Sequence, residues 1–212
     1  MKLHIGCGKT YMDGWVNIDR SKKVQTDLVF DLDKITQRNR LPYEDNSIET
    51  ILASHIIEHL QNPMKLMQEL YRVATPNCIC NIKVPHGASD GAWTDPTHIR
   101  PYYPTTFAYF GQPCYEHYVD HGYTADWEAT ELEIIPQDHF MGLADQDFLN
   151  AVQLSRNSVW ELSCFLRPHK PAREALMSLN TTPQIIIVRP SESKAPSFVL
   201  GDVNGGSDIQ LS

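Results

Sequence analysis

Residues 2–19, KLHIGCGKTYMDGWVNID, predict the fold of the chain. An apolar run leads into Gly6 and Gly8, and a second apolar run ends in Asp19. A strand, a glycine turn and a second strand ending in an acid are typical of nucleotide-binding α/β folds. Tyr11 stands where the third glycine of the dinucleotide fingerprint would be. Because that glycine serves a pyrophosphate, we expect a ligand without one.

Strand-like runs continue from this stretch to the end of the chain, and PMKLMQELYRVA at 63–74 has the apolar spacing of a helix. Strands separated by crossovers predict an α/β fold with a Rossmann-like, mostly parallel sheet. The runs at 131–140 and 158–168 are expected to form an antiparallel C-terminal strand pair. The predicted strands are 2–5, 15–19, 27–32, 48–55, 78–85, 131–140, 158–168 and 183–190.

The connection between the first two strands is too short for an ordinary crossover, so the first crossover helix is expected to be vestigial. With 212 residues, 42% of them apolar, the chain suits one domain, predicted to span 1–190. Residues 86–117, rich in His, Pro, Tyr and Gly, are predicted to be a substrate-side loop insertion. Residues 191–212 are small, polar and glycine-containing, and are predicted to be a flexible tail.

The composition excludes several classes of partner. A formal net charge of -8 argues against bulk nucleic-acid binding, which needs lysine and arginine to neutralise phosphates. No apolar run approaches membrane-spanning length and no signal peptide precedes the first strand, so a cytoplasmic location is expected. Five cysteines without framework spacing are expected to be free thiols.

S-adenosyl-L-methionine is a nucleoside ligand without a pyrophosphate. Its methionine part needs close backbone approach, which Gly6-Cys7-Gly8 allows, and its ribose diol needs an acidic acceptor, which Asp19 supplies. The motifs GCG, GWVNID, LPYEDNSIETILASHIIEHL, LYRVATPNC, IKVP and DPTH occur in this order within residues 2–110. Together they resemble the class I S-adenosylmethionine-dependent methyltransferases.

This resemblance implies a methyltransferase with S-adenosyl-L-methionine as its cofactor. Gly6, Cys7 and Gly8 would then form the cofactor turn, and Asp19 would bind the ribose hydroxyls. Four further residues are implied to lie along the cofactor, the first two near the adenine: Asp31, Leu32, Ser54 and His55.

A zinc-dependent hydrolase is an alternative, because His55-Ile-Ile-Glu58-His59 fits the H-x-x-E-H pattern. On a helix, His55 and His59 would share one face. The segment directly follows a strand and is cut short by Asn62-Pro63, so little helix is expected there and no metal ligand is predicted. A non-catalytic S-adenosylmethionine-binding protein is the second alternative.

The stretch Asp95-Pro96-Thr97-His98 with Arg100 is the candidate for substrate work. His98 can act as a general base near neutral pH, with His55 as second choice, and Arg100 can pair with a carboxylate or phosphate. A structural loop clamp is the competing interpretation. The acceptor is expected to be a small molecule or a sugar. The candidate substrate residues are His86, Asp95, His98, Arg100 and Tyr102.

Overall fold

A computed structural model describes residues 1–189 of the chain. Within that range, eight strands form a single sheet. They are β1 (Lys2–Ile5), β2 (Val16–Asp19), β3 (Leu28–Val29), β4 (Ile48–Ser54), β5 (Ala74–Pro85), β6 (Trp127–Pro136), β7 (Val159–Pro168) and β8 (Gln184–Ile187).

The strand order is β3-β2-β1-β4-β5-β7-β6-β8. Strands β1 to β5 are parallel, and β7 runs antiparallel to both β5 and β6. This confirms the predicted mostly parallel sheet with a C-terminal antiparallel pair, although β6 begins four residues earlier than the sequence predicted. The order reverses between β1 and β4, and ligands of such sheets bind in the crevice at that point, beyond the carboxyl ends of the strands.

Three α-helices lie among the described residues: α1 (Pro63–Val73), α2 (Gly91–Thr94) and α3 (Asp145–Leu154). Helix α1 begins where the Asn62 side chain accepts a hydrogen bond from Lys65 N, with a proline at its first position. Its apolar face packs into the core through Leu66, Met67 and Leu70. The helix ends at Val73, and β5 starts at the next residue and continues through Pro76-Asn77, where the sequence had predicted a break.

A loop at residues 6–15 replaces the first crossover helix, as predicted. Asn17, which is fully buried, stabilises this loop. Its Oδ1 accepts from Met12 N (2.9 Å), and its Nδ2 donates to the carbonyl oxygens of Met12 and Trp15. Asp27 Oδ2 accepts from the Asn17 backbone N–H (2.8 Å). One amide side chain therefore satisfies polar groups that a helix would have paired within itself.

Burial alternates along β5, so one face of this strand packs into the core. Cys78, Cys80 and Ile82 are fully buried, whereas Ile79, which points to the other face of the strand, is 40% exposed. Central strands of parallel sheets are usually buried on both faces and read as continuous apolar runs.

None of the helices within residues 1–189 is both long and apolar enough to cross a membrane. All five cysteines are free and buried. The predicted tail at 191–212 lies outside the described residues.

Candidate active site

The glycine turn follows β1 and has two residues of left-handed backbone, Gly6 (φ +65°) and Gly8 (φ +52°). A Cβ atom added at Gly6 would lie 2.5 Å from Cγ1 of Ile56, so this position requires glycine for space as well as for conformation. A Cβ at Gly8 would meet no atom within 4 Å. The turn therefore packs tightly on one side and opens into free space on the other.

Asp19, at the carboxyl end of β2, is tied to this turn. Its Oδ2 accepts from Gly8 N–H (2.9 Å), and its Oδ1 accepts from Ser21 N–H (2.7 Å). The side chain of Cys7 points into the core, while its backbone N–H donates to Ile18 O (3.0 Å). The two predicted cofactor features thus meet at adjoining strand ends.

This arrangement fits a nucleoside ligand. The space above Gly8 allows close approach to the backbone, and each Asp19 oxygen has one hydrogen bond and keeps acceptor capacity for a hydroxyl group. A diol placed there would bridge the two carboxylate oxygens. Tyr11 stands where a third glycine would be, so the backbone of this turn suits a ligand without a pyrophosphate.

Asp31 and Leu32 follow β3 at the same edge of the sheet. Asp31 Oδ1 accepts from Asp33 N–H (3.2 Å) and caps a short turn at Leu32–Lys34. Its other oxygen lies 3.6 Å from Lys34 Nζ. Leu32 is buried in the core. Asp31 therefore has a structural role in addition to its predicted place beside the adenine.

His55 directly follows Ser54 at the end of β4, next to β1, and has a left-handed backbone (φ +52°) that is uncommon for a histidine. Its Nε2 lies 2.8 Å from Oε2 of Glu161, and its Nδ1 lies 3.5 Å from Oε1 of Glu58. These two carboxylates, Glu161 first, raise the pKa of His55 to about 9. The imidazole is therefore protonated at neutral pH.

Glu58 is the most unusual side chain of the site, and sequence reasoning did not assign it a role beyond the zinc alternative. Its carboxylate is 3% exposed, and neither oxygen has a hydrogen-bond partner within residues 1–189. His98 Nε2 lies 4.0 Å from Oε1. His59 and His98 are in edge-to-face contact, with ring centroids 4.7 Å apart.

The helical pairing of His55 and His59 required by the hydrolase alternative does not occur. Residues Ile57–His59 form a single 3-10 turn, and His55 lies outside it with a positive φ. His98, thirty-nine residues after His59, is instead the histidine that joins Glu58 and His59. The chain packing, not the local motif, produces the cluster.

Asp95 and Arg100 form structural contacts. Asp95 Oδ1 accepts from the backbone N–H (2.8 Å) and the hydroxyl (2.7 Å) of Thr97. Arg100 Nη2 donates to Gln61 O (3.0 Å). Both contacts fit the loop-clamp interpretation, and they place the substrate-side loop over the end of β4.

Two of the predicted substrate residues, Tyr102 and His86, lie in the interior. Tyr102 is 1% exposed, and its hydroxyl donates to Ile57 O (3.3 Å). His86 is 2% exposed, and its Nδ1 accepts from Ala88 N–H (3.2 Å). Their polar atoms looked available in sequence because a loop rich in His and Tyr gives no period from which burial can be inferred.

The buried His86 is expected to make the fold acid-sensitive. Burial lowers the pKa of His86 from 6.5 to about 4, so the unfolded chain binds a proton more readily. The stabilisation is complete above pH 6.5 and is lost as the pH falls towards 4, by at most about 3 kcal/mol. Denaturant unfolding between pH 7 and 4 should give a shallower decline for His86→Gln than for the unchanged chain, and parallel curves would contradict this role.

A cleft of about 560 Å³ lies beyond the end of β5, at the same edge of the sheet. Trp93 (63% exposed) and Tyr103 (41% exposed) stand in its wall. Trp93 Nε1 donates to Gly87 O (2.8 Å), which fixes the indole. Sequence reasoning did not assign Trp93 to the site, although a tryptophan in a loop rich in glycine and proline is a signal for it.

Residues 3–82 match the methyltransferase domain family. The fold is similar to that of a SAM-dependent methyltransferase from Archaeoglobus fulgidus, with 17% identity and a TM-score of 0.50, covering 78% of this chain and 85% of that chain. The fold is also similar to that of a chain in a complex that contains the Haloferax volcanii Trm112 methyltransferase activator. That match has 14% identity and a TM-score of 0.50, and it covers 79% of this chain and 82% of that chain. A methyltransferase from Mesorhizobium loti has 14% identity and a TM-score of 0.46, covering 78% and 89%. No curated protein matches the chain.

Proposed function

We propose that this chain transfers the methyl group of S-adenosyl-L-methionine in line to a small-molecule or glycan-type acceptor. Residues 3–82 match the methyltransferase domain family, and the fold is similar to that of a SAM-dependent methyltransferase. The observation that supports this most directly is the turn itself. Gly8 opens into free space, and its N–H is bonded to the Asp19 carboxylate at the adjoining strand end.

The cofactor roles follow from these positions. The backbone of Gly6, Cys7 and Gly8 lies against the methionine part, and Asp19 accepts the ribose hydroxyls. The remaining cofactor contacts are proposed for the ends of β3 and β4: Asp31, Leu32, Ser54 and His55.

The bound cofactor supplies a methyl group already activated on a sulfonium. The chain has to align the acceptor, exclude water and remove a proton where the acceptor is a hydroxyl. His98 is the proposed base, because its Nε2 faces the site while its Nδ1 lies 3.1 Å from Ala92 O. His55 is the second candidate for a base, but with a pKa of about 9 it is protonated at neutral pH and contributes positive charge at the end of β4 instead.

The proposed acceptor class rests on the cleft beyond β5. Trp93 and Tyr103 line it and are partly exposed, and such rings combine an apolar surface with a polar edge. The apolar face of a sugar ring can stack on them. Arg156, which lines the same cleft and is paired with Asp90, adds hydrogen-bond donors at the rim.

Replacing Asp19 by alanine is expected to weaken S-adenosylmethionine binding by about 1.5–3 kcal/mol, or roughly 10- to 150-fold, because charge-assisted hydrogen bonds to the ribose are lost. Isothermal titration of the purified chain measures this. Asp13→Ala removes an exposed acid from the loop at 6–15 and is the matched control. Unchanged affinity in Asp19→Ala would remove this carboxylate from the cofactor site.

A thermal-shift screen tests the ligand class. S-adenosylmethionine and its demethylated product should raise the melting temperature, because a ligand that binds the native state stabilises it, whereas NAD should not. Transfer of labelled methyl groups to a panel of glycans and small molecules then tests catalysis. Cofactor binding without transfer, unaffected by His98→Gln, would favour the non-catalytic alternative.

A further inference from the structure

We propose that Glu58, His59 and His98 form a binding site for a divalent transition-metal ion at the carboxyl end of β4. The three side chains each offer one ligand atom, and these atoms lie within 4.8 Å of one another. Ligand atoms about 2.0–2.2 Å from one ion are at most about 4.4 Å apart, so the three side chains would draw together by some tenths of an ångström on binding it.

The carboxylate of Glu58 is the strongest argument for an ion. It is 3% exposed, yet neither oxygen has a hydrogen-bond partner among the described residues. A buried carboxylate is normally paired, hydrogen-bonded or bound to a metal, because desolvation of an isolated charge is very costly. A cation between the carboxylate and the two imidazoles would satisfy it.

Backbone and hydroxyl groups orient both histidines. His98 Nδ1 lies 3.1 Å from Ala92 O and donates to it, so Nε2, which faces Glu58, is the nitrogen turned toward the proposed ion. His59 Nδ1 lies 2.9 Å from Thr97 Oγ1 and 3.3 Å from Thr97 O. Metal-ligating histidines characteristically donate their other ring nitrogen to such oxygen atoms.

The donor set indicates the class of metal. Two imidazoles and one carboxylate suit zinc and related divalent transition metals better than calcium or magnesium, which prefer oxygen ligands. Three protein ligands leave coordination positions for an exogenous ligand. Asp95 Oδ2, 3.8 Å from His98 Nε2, lies beside the cluster.

His55 offers a competing explanation for the burial of Glu58. Its protonated ring lies with Nδ1 3.5 Å from Oε1 of Glu58, which provides partial charge compensation. However, Glu161 takes the short hydrogen bond of this histidine, at 2.8 Å, and His55 does not belong to the three-residue cluster. An ion pair of His55 with Glu58 also leaves the carboxylate without a hydrogen bond among the described residues.

The consequence for catalysis rests on the proposed methyl transfer. With an ion bound, His98 Nε2 is a ligand instead of a base. A hydroxyl group of the acceptor coordinated at an open position would then lose its proton to water more readily, because metal coordination lowers its pKa.

The test is titration of Zn²⁺, and separately Co²⁺, into chelator-treated, dialysed full chain without S-adenosylmethionine. Calorimetry should show a single ion per chain, and Co²⁺ should give the visible absorption of a nitrogen-ligated ion. Glu58→Gln, His59→Gln and His98→Gln should each weaken Zn²⁺ binding by at least about tenfold, since even outer-shell changes cost that much. Circular dichroism shows which variants remain folded, and one folded variant is enough to test the site.

His169→Gln is the matched control. His169 Nε2 lies 2.7 Å from Oε2 of Glu128, in a second His–Glu pair whose carboxylate is also bonded by Thr181. This variant should bind Zn²⁺ as the unchanged chain does. Binding of less than one Zn²⁺ per chain, or equal Zn²⁺ affinity in all variants, would overturn the metal site. Titration of the same samples with S-adenosylmethionine reports separately on the proposed methyltransferase function.

Discussion

Replacing Asp126 by alanine is expected to lower the free energy of unfolding by about 3–5 kcal/mol, because it breaks a buried ion pair and leaves an arginine without its partner. Asp126 is fully buried at the start of β6. Its Oδ2 accepts from Arg173 N–H (2.8 Å) and Nε (2.9 Å), and its Oδ1 accepts from Arg173 Nη2 (2.8 Å) and Gln112 N–H (3.0 Å). Burial alone would raise the pKa of Asp126, but these bonds outweigh it and lower the pKa below its usual value.

An exposed pair provides the control for this loss of stability. Arg156 Nη2 lies 2.6 Å from Oδ1 of Asp90, but the two side chains are 78% and 46% exposed. Asp90→Ala should therefore cost less than about 1 kcal/mol, despite the shorter contact. Urea unfolding of both variants measures the difference, and similar losses would show that burial does not govern the strength of these pairs.

The Asp126 pair also affects the site through its position. It connects the substrate-side loop at Gln112 and the segment at Arg173 to the first residues of β6. Loss of the pair should therefore loosen the part of the substrate-side loop around Gln112 before the sheet itself unfolds. Hydrogen exchange of the folded variant would show this as faster exchange in residues 104–116.

The parts of the fold that could be predicted are those encoded within a few consecutive residues. Strands β1 and β2, the turn between them and the absence of a crossover helix all follow from residues 2–19. The start of β6 was predicted too late because Trp127 packs inward through contacts with Met67, sixty residues earlier in the chain. Nothing local to the Trp127–Thr130 stretch indicates that contact.

The same distinction applies to the site. Gly8 and Asp19 are eleven residues apart and bracket one loop, so their proximity could be inferred from spacing alone. Glu58 and His98 are forty residues apart and approach each other only after the substrate-side loop folds over the end of β4. The H-x-x-E-H pattern suggests histidine partners for Glu58 only within the motif, and although His98 was predicted to be a base, nothing in the sequence indicated that it lies beside Glu58.

Gly6→Ala is expected to destabilise the chain by about 2–5 kcal/mol, the sum of a left-handed backbone penalty of about 1–2 kcal/mol and overpacking of about 1–3 kcal/mol. The overpacking arises because the new Cβ would lie 2.5 Å from Ile56 Cγ1 and 2.7 Å from its Cβ, so the side chain cannot give way at a flexible end. Thermal and denaturant unfolding measure the loss. Since Ile56 lies next to His55, the shift should also disturb the end of β4.

Gly8→Ala separates the cost of the left-handed backbone from the cost of overpacking, because Gly8 has a similar positive φ but no neighbour within 4 Å of the added Cβ. Only the backbone penalty of about 1–2 kcal/mol remains, so this variant should fold. The methyl group would occupy the space that the methionine part of the cofactor needs, and affinity for S-adenosylmethionine should fall at least about tenfold, or 1.4 kcal/mol. A folded Gly8→Ala chain with full affinity for S-adenosylmethionine would place the cofactor elsewhere. A folded chain that binds S-adenosylmethionine weakly but retains its Zn²⁺ affinity would show that the turn and the histidine cluster are separate sites.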